Sequence, residues 1–260
     1  MTEIIDVLMP IYRSRLNYLA SSIKSVQNQS VPTRLICILN GMQKPLNTFY
    51  EKFLISQGAD LILMCPKKGV ANALNFAIPY ILSDYIARQD DDDISHPYRL
   101  ELILDYIKSN CLDIAGCNIN VIDSEQNILS RRIYPAKDAQ CKTTLVYKTC
   151  FCHPSILMKA SVLKKVPYPI TKSEDYALWL KLSSSLSFGN LQLPLYYWRK
   201  SPGQASSKII PYLYLKKSMH MLMRYTKKPL TFLRLFLRLN VQILYTLLKR
   251  RQIVYSHKDI

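Results

Sequence analysis

The chain has 260 residues, 49% of them apolar, which is enough for a sizeable core and rules out global disorder. Gly numbers only 6, excluding collagen-like and Gly-rich repeat designs. Lys and Arg outnumber Asp and Glu by 35 to 18, giving +17, and residues 208–260 alone carry +11.

The first ninety residues alternate in the strand–helix manner of a parallel sheet. Ile4 to Met9 reads as a buried strand ended by Pro10. Leu16, Leu19, Ile23 and Val26 recur at helical spacing, with Ser14 as N-cap. Arg34 to Leu39 is a second strand, closed by the turn pair Asn40-Gly41. Phe49, Phe53 and Leu54 predict a helix ending near Gly58, and Asp60 to Cys65 a third strand. Val70 to Leu82 is helical, and Pro79 must kink it or end it early. Asp84 to Arg88 is a fourth strand. After Pro97, Leu100, Ile103, Leu104 and Ile107 mark the apolar face of another helix. A short strand, Leu112 to Ala115, follows. Val121-Ile122 and Ile128-Leu129 flank a hairpin turn, and Tyr176 to Leu182 is a short helix. Seven cysteines show no paired spacing and read as small core residues in a reducing compartment. Cys150, Cys152 and His153 lack the second ligand pair that a zinc site requires.

The fourth strand runs straight into Asp90-Asp91-Asp92-Asp93. Like charges about 4 Å apart repel by ~4 kcal/mol at an effective dielectric of 20. Such a row needs solvent or a bound cation. Alternate residues of an extended chain share a side, so Asp90 and Asp92 are expected to converge on one ion. Oxygen-only ligands favour Mg²⁺ or Mn²⁺ completed by substrate phosphates. The carboxyl ends of strands are where open α/β sheets bind ligands.

The stretch Tyr85-Ile86-Ala87-Arg88-Gln89-Asp90-Asp91-Asp92-Asp93-Ile94-Ser95-His96-Pro97-Tyr98-Arg99-Leu100 resembles the DXD region of family-2 glycosyltransferases. The resemblance extends over most of residues 3–207. It takes in Ile5 to Tyr12, Ser25 to Ser30, Gly69-Val70-Ala71-Asn72-Ala73-Leu74-Asn75 and Ser173-Glu174-Asp175-Tyr176-Ala177-Leu178-Trp179. It implies a glycosyltransferase A-type fold: a Rossmann-like mixed sheet flanked by helices, with a nucleotide-sugar half (1–115) and an acceptor half (116–207). It also implies inverting sugar transfer from a nucleotide sugar, with a UDP-sugar as the expected donor, and Mn²⁺ or Mg²⁺ as the ion. Pro10, Tyr12 and Arg13 would line the nucleotide pocket. Asn40 stands where the family has an Asp that reads the base, and is either a base contact or a turn residue. Gly69, Asn72 and Asn75 would face ribose or diphosphate from a helix start. Asp90 and Asp92 would hold the ion, with Asp90 and Asp91 also facing the donor, and Arg199 would clamp diphosphate. Asp175 would be the general base, Glu174 would orient it or hold an acceptor hydroxyl, or both would only cap a helix. His153 would edge the acceptor site, and Trp179 would stack on the acceptor sugar or sit in the core. Ser201 replaces a His that many members carry. A nucleotidyltransferase, or a scaffold without turnover, would use a similar acidic site.

Residues 208–260 read as a basic amphipathic helical tail, too polar to span a bilayer and suited to an anionic membrane surface. The N-terminus shows no secretion signal and no run is long enough to span. The expected setting is therefore the cytoplasm, peripheral on the inner face of the cell membrane. Tail and family together imply a lipid-linked oligosaccharide acceptor in O-antigen, capsule or exopolysaccharide assembly. A homo-oligomer is compatible with the apolar faces of the tail. No nucleic-acid motif accompanies the charge.

Overall fold

A computed structural model describes residues 3–145 and 148–200. Ser201 and the basic tail 208–260 lie outside the described residues. In chain order the elements are β1 (Ile5–Ile11), α1 (Leu16–Gln27), β2 (Thr33–Asn40), α2 (Leu46–Ser56), β3 (Leu61–Cys65) and α3 (Val70–Ala77). Then come β4 (Tyr85–Arg88), β5 (Ile94–Ser95), α4 (Arg99–Ser109), β6 (Ile114–Ile122), β7 (Ile128–Arg132) and α5 (Asp138–Thr144). The last are β8 (Leu157–Lys159), α6 (Ala160–Lys165), α7 (Glu174–Leu182) and β9 (Phe188–Arg199). One sheet runs in the order β3-β2-β1-β4-β8-β6-β9-β5, with β7 paired to β6. The β3-β2-β1-β4 half is parallel, and β8 joins it antiparallel to both β4 and β6. This is the mixed, helix-flanked sheet that the sequence resemblance implies.

Each of the strands β1 and β2 is buried on both faces along most of its length, which explains their near-continuous apolar runs. Alternate side chains divide between two cores. Leu8, Ile36 and Ile38 pack with α3 on one face; Val7, Met9, Cys37 and Leu39 pack with α1 and α4 on the other. Six of the seven cysteines are buried, all seven are free, and Cys111 is the exposed one.

Pro10 does not end β1. The strand continues to Ile11, and Pro10 pairs in register with Ile38 of β2. The Leu8 carbonyl accepts from the Gln89 N–H beside β4. By alternation Pro10 faces that same side, where the ladder with β4 has already ended at Leu8–Arg88. Its missing N–H therefore costs no ladder bond. Ser14 is not the cap of α1; Arg15 holds that position. Pro79 ends α3 early, as expected, by forcing a 3-10 turn over Ile78–Tyr80.

The second half departs further from expectation. β6 runs on to Ile122, and β9 is a 12-residue strand that the sequence pattern conceals. Gly189 and Pro194 break its apparent pattern. The sheet accommodates Pro194 at a register irregularity opposite Asn118. Gly116 allows the two strands to approach, since a Cβ there would lie 2.6 Å from Asn190 Oδ1.

One polar residue in the parallel half is fully buried and fully bonded. Asp6 accepts from Arg34 Nε (2.8 Å) and Nη2 (2.9 Å), and from the N–H groups of Leu82 (2.8 Å) and Ser83 (3.1 Å). Burial pushes its carboxyl up, but Arg34 and the two backbone donors prevail and hold it below its ordinary value. Asp6→Ala should lower the urea-measured unfolding free energy by about 3–5 kcal/mol, because the Leu82 and Ser83 N–H groups lose their acceptor and Arg34 keeps only the Tyr80 carbonyl. A depressed folded-state pKa stabilises the fold above the unfolded-state value of about 3.9. The wild type should lose this contribution as pH falls from there through the folded-state value, and Asp6→Ala should show no such step.

Candidate active site

The site lies where β1, β2 and β4 end. β4 delivers Arg88 and then Gln89, both buried, before the chain turns through Asp91-Asp92. The acidic row is therefore a tight turn and not an extended run. Extended-strand alternation therefore does not apply to this row, and the carboxylates have different partners.

Asp90 is paired with Arg88, whose Nη2 donates to Asp90 Oδ1 at 2.6 Å. The Tyr12 N–H donates to Asp91 Oδ2 at 3.2 Å, and the Ser14 hydroxyl donates to the same oxygen. Asp91 thus ties the β1–α1 loop to the turn, which is why Ser14 is unavailable as a cap. Burial pushes the Asp91 carboxyl up to about 7; the Ser14 bond opposes this, and the charges of Asp92 and Asp90 add to it. Asp93 is buried and accepts from the Arg199 N–H at 2.6 Å. Burial and the charges of Asp90 and Asp92 push its carboxyl well up, against the Arg199 N–H and the Tyr196 hydroxyl. Asp92 is half-buried. Beneath the turn, the Gln89 amide donates to the carbonyls of Asp90 (3.3 Å) and Asp93 (3.1 Å) and accepts from Arg99 Nη2 (3.3 Å). Tyr196 holds the Asp90 N–H at 3.1 Å.

Among the described residues no three His, Cys, Asp or Glu side chains converge as a metal cage. Asp90, Asp91 and Asp92 are nevertheless only half-buried at the carboxyl end of β4, so the turn keeps carboxylate oxygens open to solvent. One or two carboxylates with substrate and water oxygens fit a Mg²⁺-like ion better than a closed cage.

On the β1 side, the Tyr12 ring is half-buried with Lys68 Nζ 4.2 Å from its centroid and Arg13 5.5 Å away. Lys68 Nζ also donates to the Tyr12 hydroxyl at 3.0 Å, and this bond chiefly lowers the Tyr12 pKa. At the end of β2, Asn40 is only 6% exposed and its Oδ1 accepts from the Gly69 N–H at 2.7 Å. Its oxygen is therefore spent on the β3–α3 loop, as a turn residue's would be. Asn72 donates to the Lys68 carbonyl at 2.9 Å beside this loop. Asn75 bonds away from this loop. It staples the chain at Tyr168, accepting from its N–H and donating to its carbonyl, both at 2.8 Å.

Facing the turn is the first turn of α7, with Glu174 and Asp175 half-buried. Burial raises the Asp175 carboxyl; the N–H groups of Tyr176 and Asp175 and the charge of Arg88 oppose it, and Asp90 adds to it. Glu174 is raised by burial and by Asp175, against Arg88. Arg88 and Asp90 act on both residues, so the acidic turn and α7 share one electrostatic space. His153 Nε2 and the Tyr168 hydroxyl are hydrogen-bonded at 2.9 Å, and burial with Arg88 nearby holds the ring well below its usual pKa.

Two expected site residues are core residues instead. Trp179 is 0% exposed and packs edge-on against Phe151, with centroids 5.2 Å apart, because it lies on the buried face of α7. It offers no platform to a sugar. Arg199 is 1% exposed and spends its guanidinium on three backbone carbonyls, so it does not present a clamp to diphosphate. Conversely, sequence reasoning misses Arg88, Gln89, Lys68, Tyr168 and Tyr196 as parts of the site. Arg88 carries a readable signal, since a charged residue closing a buried strand must be paired.

The family model described as glycosyl transferase family 2 matches residues 6–166. The O-antigen biosynthesis glycosyltransferase WbnJ of Escherichia coli is 32% identical over 69% of this chain and 72% of its own. An E. coli UDP-Gal:alpha-D-GlcNAc-diphosphoundecaprenol beta-1,3-galactosyltransferase is 27% identical over 78% of this chain and 76% of its own. The S. aureus TarS structure with UDP-GlcNAc superposes with a TM-score of 0.66 at 13% identity, covering 89% of this chain and 70% of that one. The chain belongs to glycosyl transferase family 2 and is a glycosyltransferase.

Gly41 lets the end of β2 approach the loop before α3. Its φ is 63°, and a Cβ there would lie 2.4 Å from the backbone of Lys68. Gly58 has a similar φ of 73°, but its nearest neighbour is the end of the Gln27 side chain at 3.2 Å. Gly41→Ala should cost about 2–4 kcal/mol in chemical denaturation, and Gly58→Ala only the ~1–2 kcal/mol of the left-handed backbone.

Proposed function

We propose that this chain transfers a sugar with inversion from a nucleotide sugar, a UDP-sugar, to a hydroxyl of a lipid-linked oligosaccharide. The single observation that carries the reading is the grouping of Asp175 and Asp90 about one buried guanidinium, that of Arg88. Inversion needs a base on one side of the anomeric carbon and stabilisation of the leaving diphosphate on the other. The raised Asp175 carboxyl suits the base, because its conjugate acid then lies closer to neutral pH. Asp175 takes the proton of the acceptor hydroxyl, Glu174 orients that hydroxyl, and Arg88 keeps Asp175 ionised. Tyr12, with Arg13 and Lys68 around its ring, forms the wall for the base and phosphates. Asp92, with Asp90, would hold a divalent cation. When bound, that ion supplies charge neutralisation to the departing diphosphate.

The UDP donor and lipid-linked acceptor draw support from two E. coli relatives. They are named for UDP-Gal and UDP-Glc transfer to GlcNAc-diphosphoundecaprenol. The Mn²⁺ assignment draws on a mannosyltransferase of the same fold from Pyrobaculum calidifontis, solved with GDP-Man and Mn²⁺ (TM-score 0.62). WbnJ supports a place in O-antigen or related polysaccharide assembly. Among the described residues no helix is long and apolar enough to cross a membrane. A peripheral position at the inner membrane face, through residues 208–260, completes the proposal.

A transfer assay over a panel of UDP-sugars tests it. Asp175→Asn should reduce kcat by at least about 10³-fold while UDP-sugar binding, read by thermal shift, stays within about twofold. Asp92→Asn should abolish the Mn²⁺-dependent part of that shift. Loss of donor binding in Asp175→Asn would count against its role as base. The wild-type rate should fall as pH drops, because the base must be ionised. Since the Asp175 pKa is raised, the midpoint should lie above the ordinary aspartate value of about 3.9.

A further inference from the structure

We propose that Arg199 is a positioning residue for the cation-binding turn, coupling it to the β6–β7 hairpin. The inference rests on the reading that Asp90 and Asp92 hold a divalent ion. Arg199 donates to two turns. Its backbone N–H donates to Asp93 Oδ1 (2.6 Å) and its Nε to the Asp92 carbonyl (2.8 Å). Its Nη1 donates to the carbonyls of Asp123 (3.0 Å) and Ser124 (3.1 Å) at the hairpin tip. The guanidinium carbon lies 4.3 Å from the centroid of the Tyr18 ring on α1.

Two consecutive residues of the acidic turn therefore hang on one side chain and its own peptide. The hairpin end of the clasp is itself stiff: Asp123 Oδ1 accepts from the N–H groups of Glu125 and Asn127, both at 2.9 Å. Fixing the carbonyl of residue 92 fixes the direction in which its carboxylate leaves the chain. A planar fork can reach three carbonyls and lie flat on an aromatic ring at once, and an ammonium cannot. Drawing Arg199 away to bind diphosphate would break its bonds to these three part-buried carbonyls. The site thus uses this cation to hold shape and leaves the phosphates to other groups.

The test measures Mn²⁺ binding to the full chain by the EPR signal of free Mn²⁺, with UDP present. Arg199→Lys should weaken Mn²⁺ by about tenfold, the effect of losing one or two charge-assisted hydrogen bonds. At saturating Mn²⁺, the ratio of UDP to UMP affinity should match the wild type. Tyr18→Leu, which keeps the hydrogen bonds and removes the ring beneath them, should weaken Mn²⁺ in the same direction by a smaller factor. Asp92→Asn is the control for the underlying reading. If Asp92→Asn loses Mn²⁺ while Arg199→Lys and Tyr18→Leu bind it as the wild type does, the positioning role is overturned and the cation reading stands. A selective loss of UDP over UMP in Arg199→Lys at saturating Mn²⁺ would also overturn it, by showing a diphosphate clamp. If the wild type binds no Mn²⁺ with UDP, both readings fall together.

Discussion

The site is organised around the cost of holding four adjacent carboxylates at the end of a buried strand. Each close pair repels by several kcal/mol in a partly dry setting, so the fold surrounds the row with donors from distant segments. Arg88 answers Asp90 from the strand itself. Ser14 and the Tyr12 N–H answer Asp91 from the β1–α1 loop. The backbone of Arg199 answers Asp93 from the end of β9. Gln89 gathers the turn's carbonyls from below. Much of the sheet's connectivity is the route by which these donors arrive.

The same interactions divide labour among the cations. Arg88, Arg99 and Arg199 are all buried and all bond to backbone carbonyls around the acidic turn. Lys68 and Arg13 instead stand at the half-buried Tyr12 ring. The buried cations among the described residues are all arginines, whose planar fork reaches several carbonyls at once, whereas the more exposed Tyr12 ring carries both an arginine and a lysine.

The parallel half is legible from sequence because its signals are local. Apolar runs, Pro79 and the Asn40-Gly41 turn each act within a few residues. The acidic turn and the Glu174-Asp175 pair are legible because carboxylates at a strand end or a helix start are costly unless they bind, pair or cap. Less legible are features fixed by distant partners. β9 carries Gly189 and Pro194, and pairing with distant β6 and β5 makes it a strand. Asn75 and Arg199 look like ligand contacts in one dimension, yet partners 93 and about 76 to 107 residues away absorb them. Trp179 follows the same rule, since only the packing of α7 shows which face is inward. Burial is a property of the assembled layers, and spacing along one helix does not reveal it.

β1 outruns β4 by three residues at the rim of the sheet, with Leu8 opposite Arg88 and Ile11 still paired to Leu39. The short strand therefore works as a ruler. One residue inserted between Tyr85 and Arg88 would advance the turn by roughly 3.3 Å and swap the sides of every following side chain. Arg88 would then point away from α7, and Asp91 would miss Ser14. The count from Tyr85 to Asp92 is thus set by the sheet's register and tolerates no insertion.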